Sequence, residues 1–134
     1  MAKRVMPLER SLKFFRAQGI PCARVERWQM APGHPGGGVR IDAWGFIDAI
    51  SIFPDQIVAI QCCGASGVPA HLKKIDGIPE VALWLRTGAG LHLHSWKKRA
   101  KPIGRSYWQL RWLVASLTDG VVSFEEMGLT TASQ

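Results

Sequence analysis

Hydrophobic and polar positions change period several times along this chain, and those changes mark out its elements. Between Pro7 and Gln18, the residues Leu8, Leu12 and Phe15 recur at helical spacing, which lines them up on one stripe of a helix. Pro7 suits the first helical position, Gly19 and Pro21 stop the pattern, and Glu9, Lys13 and Arg16 take the opposite face. From Cys22 to Met30 the alternation is looser, but strand formers such as Val25 and Trp28 predict a strand. Ala31 to Gly38, dense in proline and glycine, is a loop, and it lacks the Gly-Lys-Ser/Thr ending of a phosphate-binding loop.

Val39 to Phe53 and Gln56 to Cys63 are two β-prone runs on either side of Pro54-Asp55, the pattern of a hairpin, with Gly45 marking a bend or bulge in the first. After Gly64-Ala65-Ser66-Gly67, helical spacing returns from Pro69 to Arg86, broken at Asp76-Gly77 and resumed at Pro79. Its apolar stripe is Ile75, Ile78, Ala82 and Leu85. Leu91 to Trp96 and Tyr107 to Val114 read as strands, and the basic run Lys97-Lys98-Arg99-Ala100-Lys101 with Arg105 lies between them. From Thr118 the period fades, which predicts a tail over 118–134, either a short helix or without regular structure. The expectation is one α/β domain over 1–117: a mixed β-sheet flanked by helices in the order α-β-β-β-α-β-β.

At 134 residues the chain is long enough for one hydrophobic core. Its 17 Lys and Arg against 10 Asp and Glu leave a net charge of +7, which favours an anionic partner, nucleic acid first, against the plainer reading of a solubility surplus. Cys22, Cys62 and Cys63 are an odd set with two adjacent members, which argues against a disulfide framework. Met1 to Arg10 has no apolar signal-peptide core and no run reaches membrane-spanning length, so a reducing cytoplasm is the expected compartment.

The hairpin carries the candidate chemistry. With Pro54 and Asp55 as a two-residue turn, Phe53 pairs with Gln56 and Asp48 falls opposite Gln61. Directly opposed side chains start about 5 Å apart, close enough for an oxygen from each to reach one hard cation. In this register Asp48, Ile50, Ile52, Ile57, Ala59, Gln61 and Cys63 share one face and Ala49, Ser51, Val58, Ile60 and Cys62 the other. Both faces are mainly apolar, so the hairpin should be central and covered, and a carboxylate there needs a cation or hydrogen-bond donors. The plainer alternative is that Asp48 bonds a nearby backbone amide. Asp42, six residues upstream, would stand about 20 Å from Asp48 along an extended strand, too far to share one ion unless Gly45 bends the strand sharply, and is read as structural or substrate-facing.

These residues resemble the PD-(D/E)XK nuclease superfamily, which includes Holliday-junction resolvases, restriction enzymes and VRR-NUC domains. The likeness spans roughly residues 7–114. It rests on the helix bearing Glu9, on Gly45-Phe46-Ile47-Asp48, and on Ala59-Ile60-Gln61-Cys62-Cys63. It extends to the small-residue loop Gly64 to Gly67, to Lys73-Lys74 and to Ser95-Trp96-Lys97-Lys98, as in small phage and bacterial members. The resemblance implies a magnesium- or manganese-dependent deoxyribonuclease. Asp48, Gln61 and the Cys62 backbone carbonyl would be the metal ligands, with Glu9 as an outer helper. Two positions depart from the pattern: Gln61 is neutral where a carboxylate is usual, and Cys63 stands where a lysine belongs. Lys73 or Lys74 would then substitute for the missing lysine, unless both simply line a solvated or DNA-contacting face. Lys74, Lys97, Lys98, Arg99, Lys101 and Arg105 are the expected DNA contacts, with Tyr107 and Trp108 as stacking rings or as core. A homodimer is left open and no membrane association is expected. The alternatives are a catalytically inactive nuclease-like module that binds DNA or protein, and an interaction protein whose charge is incidental.

Two further groups take structural readings. His92 and His94 share a strand face with Trp96 but lack a third zinc ligand, so they read as solvent-facing or hydrogen-bonded strand residues. Cys62-Cys63 has no spacer and reads as small buried side chains, and Trp84 as buried or half-buried helix packing.

Overall fold

A computed structural model describes residues 5–30 and 37–132 of the chain, residues 128–132 as backbone only. Most of the expected glycine-proline loop lies outside the described residues. Helix α1 (Pro7–Ala17) starts on Pro7, with Glu9 in its first turn and Arg16 in its last, and Gly19 at φ 74° ends it. It is followed by β1 (Cys22–Arg24), β2 (Arg27–Met30) and β3 (Gly38–Ile41), then by the hairpin β4 (Ala49–Phe53) and β5 (Gln56–Gly64). A 3-10 turn (Ala65–Gly67) leads into α2 (Val68–Asp76) and α3 (Pro79–Arg86), and β6 (Gly90–Arg99), β7 (Tyr107–Thr118) and β8 (Val121–Ala132) complete the chain.

The architecture is α/β, a mixed six-stranded sheet in the order β1-β4-β5-β6-β7-β8 flanked by three helices, with β2 and β3 as a separate two-stranded ribbon. β5 and β6 run parallel, joined by the α2–α3 crossover that such a pair requires, and every other neighbouring pair is antiparallel. Alternation along the central strands sorts the core into two faces. Leu8, Leu12 and Phe15 of α1 pack on Ala49, Val58, Ile60 and Cys62. Across the sheet, Ile75 and Val81 of the crossover helices close over Phe46, Ile47, Ala59 and Leu91. Trp84 is half-buried there and donates its indole N–H to the Gly90 carbonyl at 2.7 Å.

The histidines belong to the α1 face and are hydrogen-bonded. Ser11 Oγ lies 2.8 Å from His94 Nδ1 and accepts from Trp96 Nε1 at 2.9 Å, while His92 Nδ1 accepts from Trp112 Nε1 at 2.9 Å. His94 Nε2 is buried without a hydrogen-bond partner, and burial lowers the pKa of both histidines.

Three elements differ from the expected pattern. The run Cys22 to Met30 is two strands, because Val25 N–H and Glu26 N–H both leave the ladder to bond the Asp48 carbonyl at 2.8 Å. The run Val39 to Phe53 is also two strands. Trp44 and Gly45, at φ 53° and 81°, reverse the chain within a tight turn that bridges Ala43 to Ile47. The segment from Thr118, read as a tail, holds β8. Asp119 and Gly120, at φ 51° and 76°, form the two-residue turn of a β7–β8 hairpin, and Val122 and Phe124 pack beneath the sheet. The β7–β8 register shifts between Arg111 and Leu113, a β-bulge in the sheet's edge. No helix among the described residues is long and apolar enough to cross a membrane.

Candidate functional site

The site begins with the hairpin register. Phe53 pairs with Gln56 and Ala49 with Ile60, as the two-residue turn requires, and Asp48 N–H donates to the Ile60 carbonyl at 2.9 Å. That register sets Asp48 beside Gln61, whose Nε2 donates to Asp48 Oδ2 at 2.8 Å, and the same oxygen accepts the Cys62 backbone N–H at 2.9 Å. Both expectations for Asp48, a partnership with Gln61 and a bond to a backbone amide, therefore describe one oxygen. Gln61 Oε1 is buried and has no hydrogen-bond partner. Ile60 C=O and Cys62 N–H both point toward the β4 side, and by strand alternation the Cys62 carbonyl points there too, past the last β4 pairing.

The turn at Trp44-Gly45 is the sharp bend that removes the separation an extended strand would impose on the acidic groups. Asp42 and Asp48 do not lie along one straight strand, because the chain reverses between them at the Ala43–Ile47 bridge. A nearer partner is Glu26, which alternation within a weak strand did not single out. The bonds from Val25 and Glu26 to the Asp48 carbonyl pin Glu26 there, and Arg40 Nε approaches Glu26 Oε1 at 3.7 Å.

Glu26, Arg40, Asp48, Cys62, Cys63 and His71 line a cavity of about 300 Å³, together with the first turn of α1 and the loop after β5. The cavity opens at the carboxyl end of β5, where ligands bind in sheets with parallel strands. His71 enters from α2, its Nδ1 2.9 Å from the Gly67 carbonyl, which fixes the proton on Nδ1 and leaves Nε2 as the acceptor.

No known protein family, curated protein or solved structure matches this chain.

Asp48 is only 3% exposed, and burial pushes its carboxyl up to about 7. The Cys62 N–H bond works against that rise, and the Glu26 carboxyl, through charge and hydrogen bonding, and the Asp42 charge reinforce it. Burial likewise pushes the Cys63 thiol up to about 11 and raises Cys62, so neither is a thiolate nucleophile near neutral pH.

The other expected site residues lie elsewhere. Glu9 faces outward and pairs with Arg24 at 3.6 Å, away from the cavity lining. Lys73 and Lys74 are exposed on α2 and do not line the cavity either. Lys97, Lys98 and Arg99 are exposed on the part of β6 that runs beyond Trp96, the residue opposite the end of β5, and Lys101 and Arg105 are exposed in the following loop. The basic run therefore stands at the same end of the sheet as the cavity. Trp108 is half-buried under the Arg10 guanidinium, 3.5 Å from its ring centre.

Among the described residues no group of three or more His, Cys, Asp or Glu side chains is arranged to hold a metal. The donors at this site are of a different composition: the carboxylates of Asp48 and Glu26, the unpartnered Gln61 Oε1 and the Cys62 carbonyl, all oxygens. That set suits a hard cation such as magnesium or manganese and not zinc.

Proposed function

We propose that this chain is a DNA-binding, divalent-metal-dependent phosphodiesterase, a nuclease of the restriction-endonuclease-like, PD-(D/E)XK kind. The observation that carries the reading is the grouping of Asp48 with Gln61 and Glu26 beside a cavity at the carboxyl end of β5. A basic, acid-free segment from Lys97 to Arg105 at the same end supports DNA as the substrate. Asp48, Glu26, Gln61 Oε1 and the Cys62 carbonyl would hold the cation. When bound, it would offset charge on a scissile phosphate and lower the pKa of a water.

The remaining roles follow from the chain's own residues. Glu26 supplies the second negative charge that Gln61 lacks, and a cation would favour the ionised form of the Asp48 carboxyl. Gln61 Nε2 holds Asp48 in one rotamer. His71, with Nε2 free to accept, occupies the proton-handling position that Cys63 leaves empty of a lysine and that Lys73 does not reach. Arg40 offers a cation to a phosphate oxygen at the cavity wall.

The test is cleavage of linear, branched and single-stranded DNA with magnesium or manganese. Asp48→Ala is expected to lower the rate by about two orders of magnitude or more, with Glu26→Gln also impaired. Asp48→Asn, which keeps the size of the side chain, guards against loss of folding, and thermal melts monitor it. Wild-type protein that cleaves none of these DNAs with either metal, or cleaves equally well as Asp48→Asn, would defeat the enzymatic reading.

A second reading, an inactive nuclease-like module that binds DNA, is favoured by one specific feature: Asp48 Oδ2 is already taken by Gln61 and Cys62. It predicts salt-sensitive DNA binding that survives both chelation and Asp48→Ala.

A further inference from the structure

Beyond the parallel seam, β6 and β7 continue as a ribbon, with β8 paired along the far edge of β7 as far as Trp108, opposite Ala132. β5 stops at Gly64 opposite Trp96, whereas Lys97 still pairs with Gln109, Lys98 with Trp108 and Arg99 with Tyr107. Three residues of extended chain carry the ribbon roughly 10 Å past the end of β5, where the cavity opens. The loop after Arg99 turns through Gly104, at φ 99°.

Both faces of this ribbon carry cations. Alternation puts Lys98 and Trp108 on one face, where Arg10 stacks on the indole. Lys97 and Arg99 take the other, with Arg99 Nε donating to Gln109 Oε1 at 3.0 Å and the Lys101 ammonium 5.6 Å from the Tyr107 ring centre. No Asp or Glu occurs from Lys97 to Trp108. In the loop, between Lys101 and Arg105, Ile103 is 91% exposed, against 66% for Met127, the next most exposed large apolar side chain among the described residues.

A single exposed apolar residue needs no account on an ordinary surface. Here it sits in the loop that extends past the ends of β5 and β8 and is bracketed by positive charge, which favours an occupant with two rows of phosphates and an apolar interior between them. We propose that the β6–β7 ribbon is a wedge for duplex DNA. Cations on its two faces meet the phosphates of both strands, and Ile103 enters between adjacent base pairs from the minor groove, unstacking one step and kinking the duplex. Flexible pyrimidine–purine steps accept such a wedge most easily. This inference rests on the DNA-binding half of the proposed function and is independent of the cation site.

The test uses the full chain in chelator, with a short duplex labelled at both ends for energy transfer and carrying 2-aminopurine at a central TA step. Wild-type protein should bring the ends closer and brighten the 2-aminopurine. Ile103→Ser should abolish both signals and weaken binding roughly tenfold, with an unchanged slope of affinity against salt, while Ile103→Leu should keep them. Lys97→Gln, Lys98→Gln and Lys101→Gln combined should lower the magnitude of that slope by about two to three. Equal bending and affinity in Ile103→Ser would overturn the wedge and leave DNA binding standing. No salt-sensitive duplex binding by the wild type would overturn both, as would Ile103-dependent binding to phosphatidylserine vesicles without binding to duplex.

Discussion

Phe15→Ala is expected to lower folding stability by about 4 kcal/mol, a large share of what a domain of this size has available. The ring is fully buried on the α1 face and meets Phe14, Phe53, His94 and Trp112 edge-on or tilted, with centroids 5.1 to 5.9 Å away. Those neighbours sit on a helix and on three different strands of one continuous sheet, so they are poorly able to close the space left behind. Urea unfolding at neutral pH measures the loss. Ile52→Ala is the contrasting case, because Ile52 is exposed and its removal should change stability by about 0.5 kcal/mol or less. A loss below about 1 kcal/mol for Phe15→Ala would contradict the packing of α1 on the sheet.

The second large effect is on the acid limb of the stability curve. Burial holds His92 at about 4 and His94 at about 3, the latter lowered further by His92, whereas an unfolded histidine titrates near 6.5. Stability from these two groups is present above about pH 6.5 and is lost as pH falls through the folded values, because the unfolded chain binds two more protons. Asp48 acts in the opposite sense. Its carboxyl is raised to about 7, so its contribution is present below about pH 4 and is lost as pH rises toward 7. Between about pH 4.5 and 6 the three groups leave a net excess of one proton in the unfolded state, or about 1.4 kcal/mol lost per unit of acidification. Asp48→Asn removes the opposing term and should steepen the loss to about 2.7 kcal/mol per unit. Urea midpoints measured through this window in metal-free buffer give both slopes, and equal slopes would show that the native Asp48 is already ionised there.

Much of the central sheet was legible because its signals are local. Pro54-Asp55 between two β-prone runs dictates the register, and the register brings Asp48 and Gln61 together. What escaped was set by backbone that leaves its strand. Val25 and Glu26 turn out of β1 to reach one carbonyl, and no spacing of side chains announces that bond, so Glu26 went unnoticed while Glu9, on a strongly periodic helix, drew attention it does not earn. Gly45 was read as a bend, but the reversal also needs Trp44 in the left-handed region, which its residue type disfavours. The β7–β8 hairpin is a different kind of miss. Asp119-Gly120 is among the strongest two-residue turn signals, but the apolar alternation after it is too short to mark a strand by itself. His71 was hidden by its neighbours, since Lys73 and Lys74 carry the charge of α2 while His71 faces the cavity.

The bulge in β7–β8 bears on how copies of this molecule behave toward one another. β8 is the last strand of the sheet among the described residues, twelve residues long, and it offers an open row of amides and carbonyls to any extended segment it meets. Because the register shifts near Arg111, a strand arriving at that edge finds no continuous template: pairing that fits one half is out of step in the other. Glu125, exposed on β8, adds repulsion between two such edges brought together, whereas Glu126 is held by Arg111 of β7. A variant with one residue removed at the irregularity would straighten the margin and should form fibrils on standing more readily than the unaltered chain, as light scattering would show.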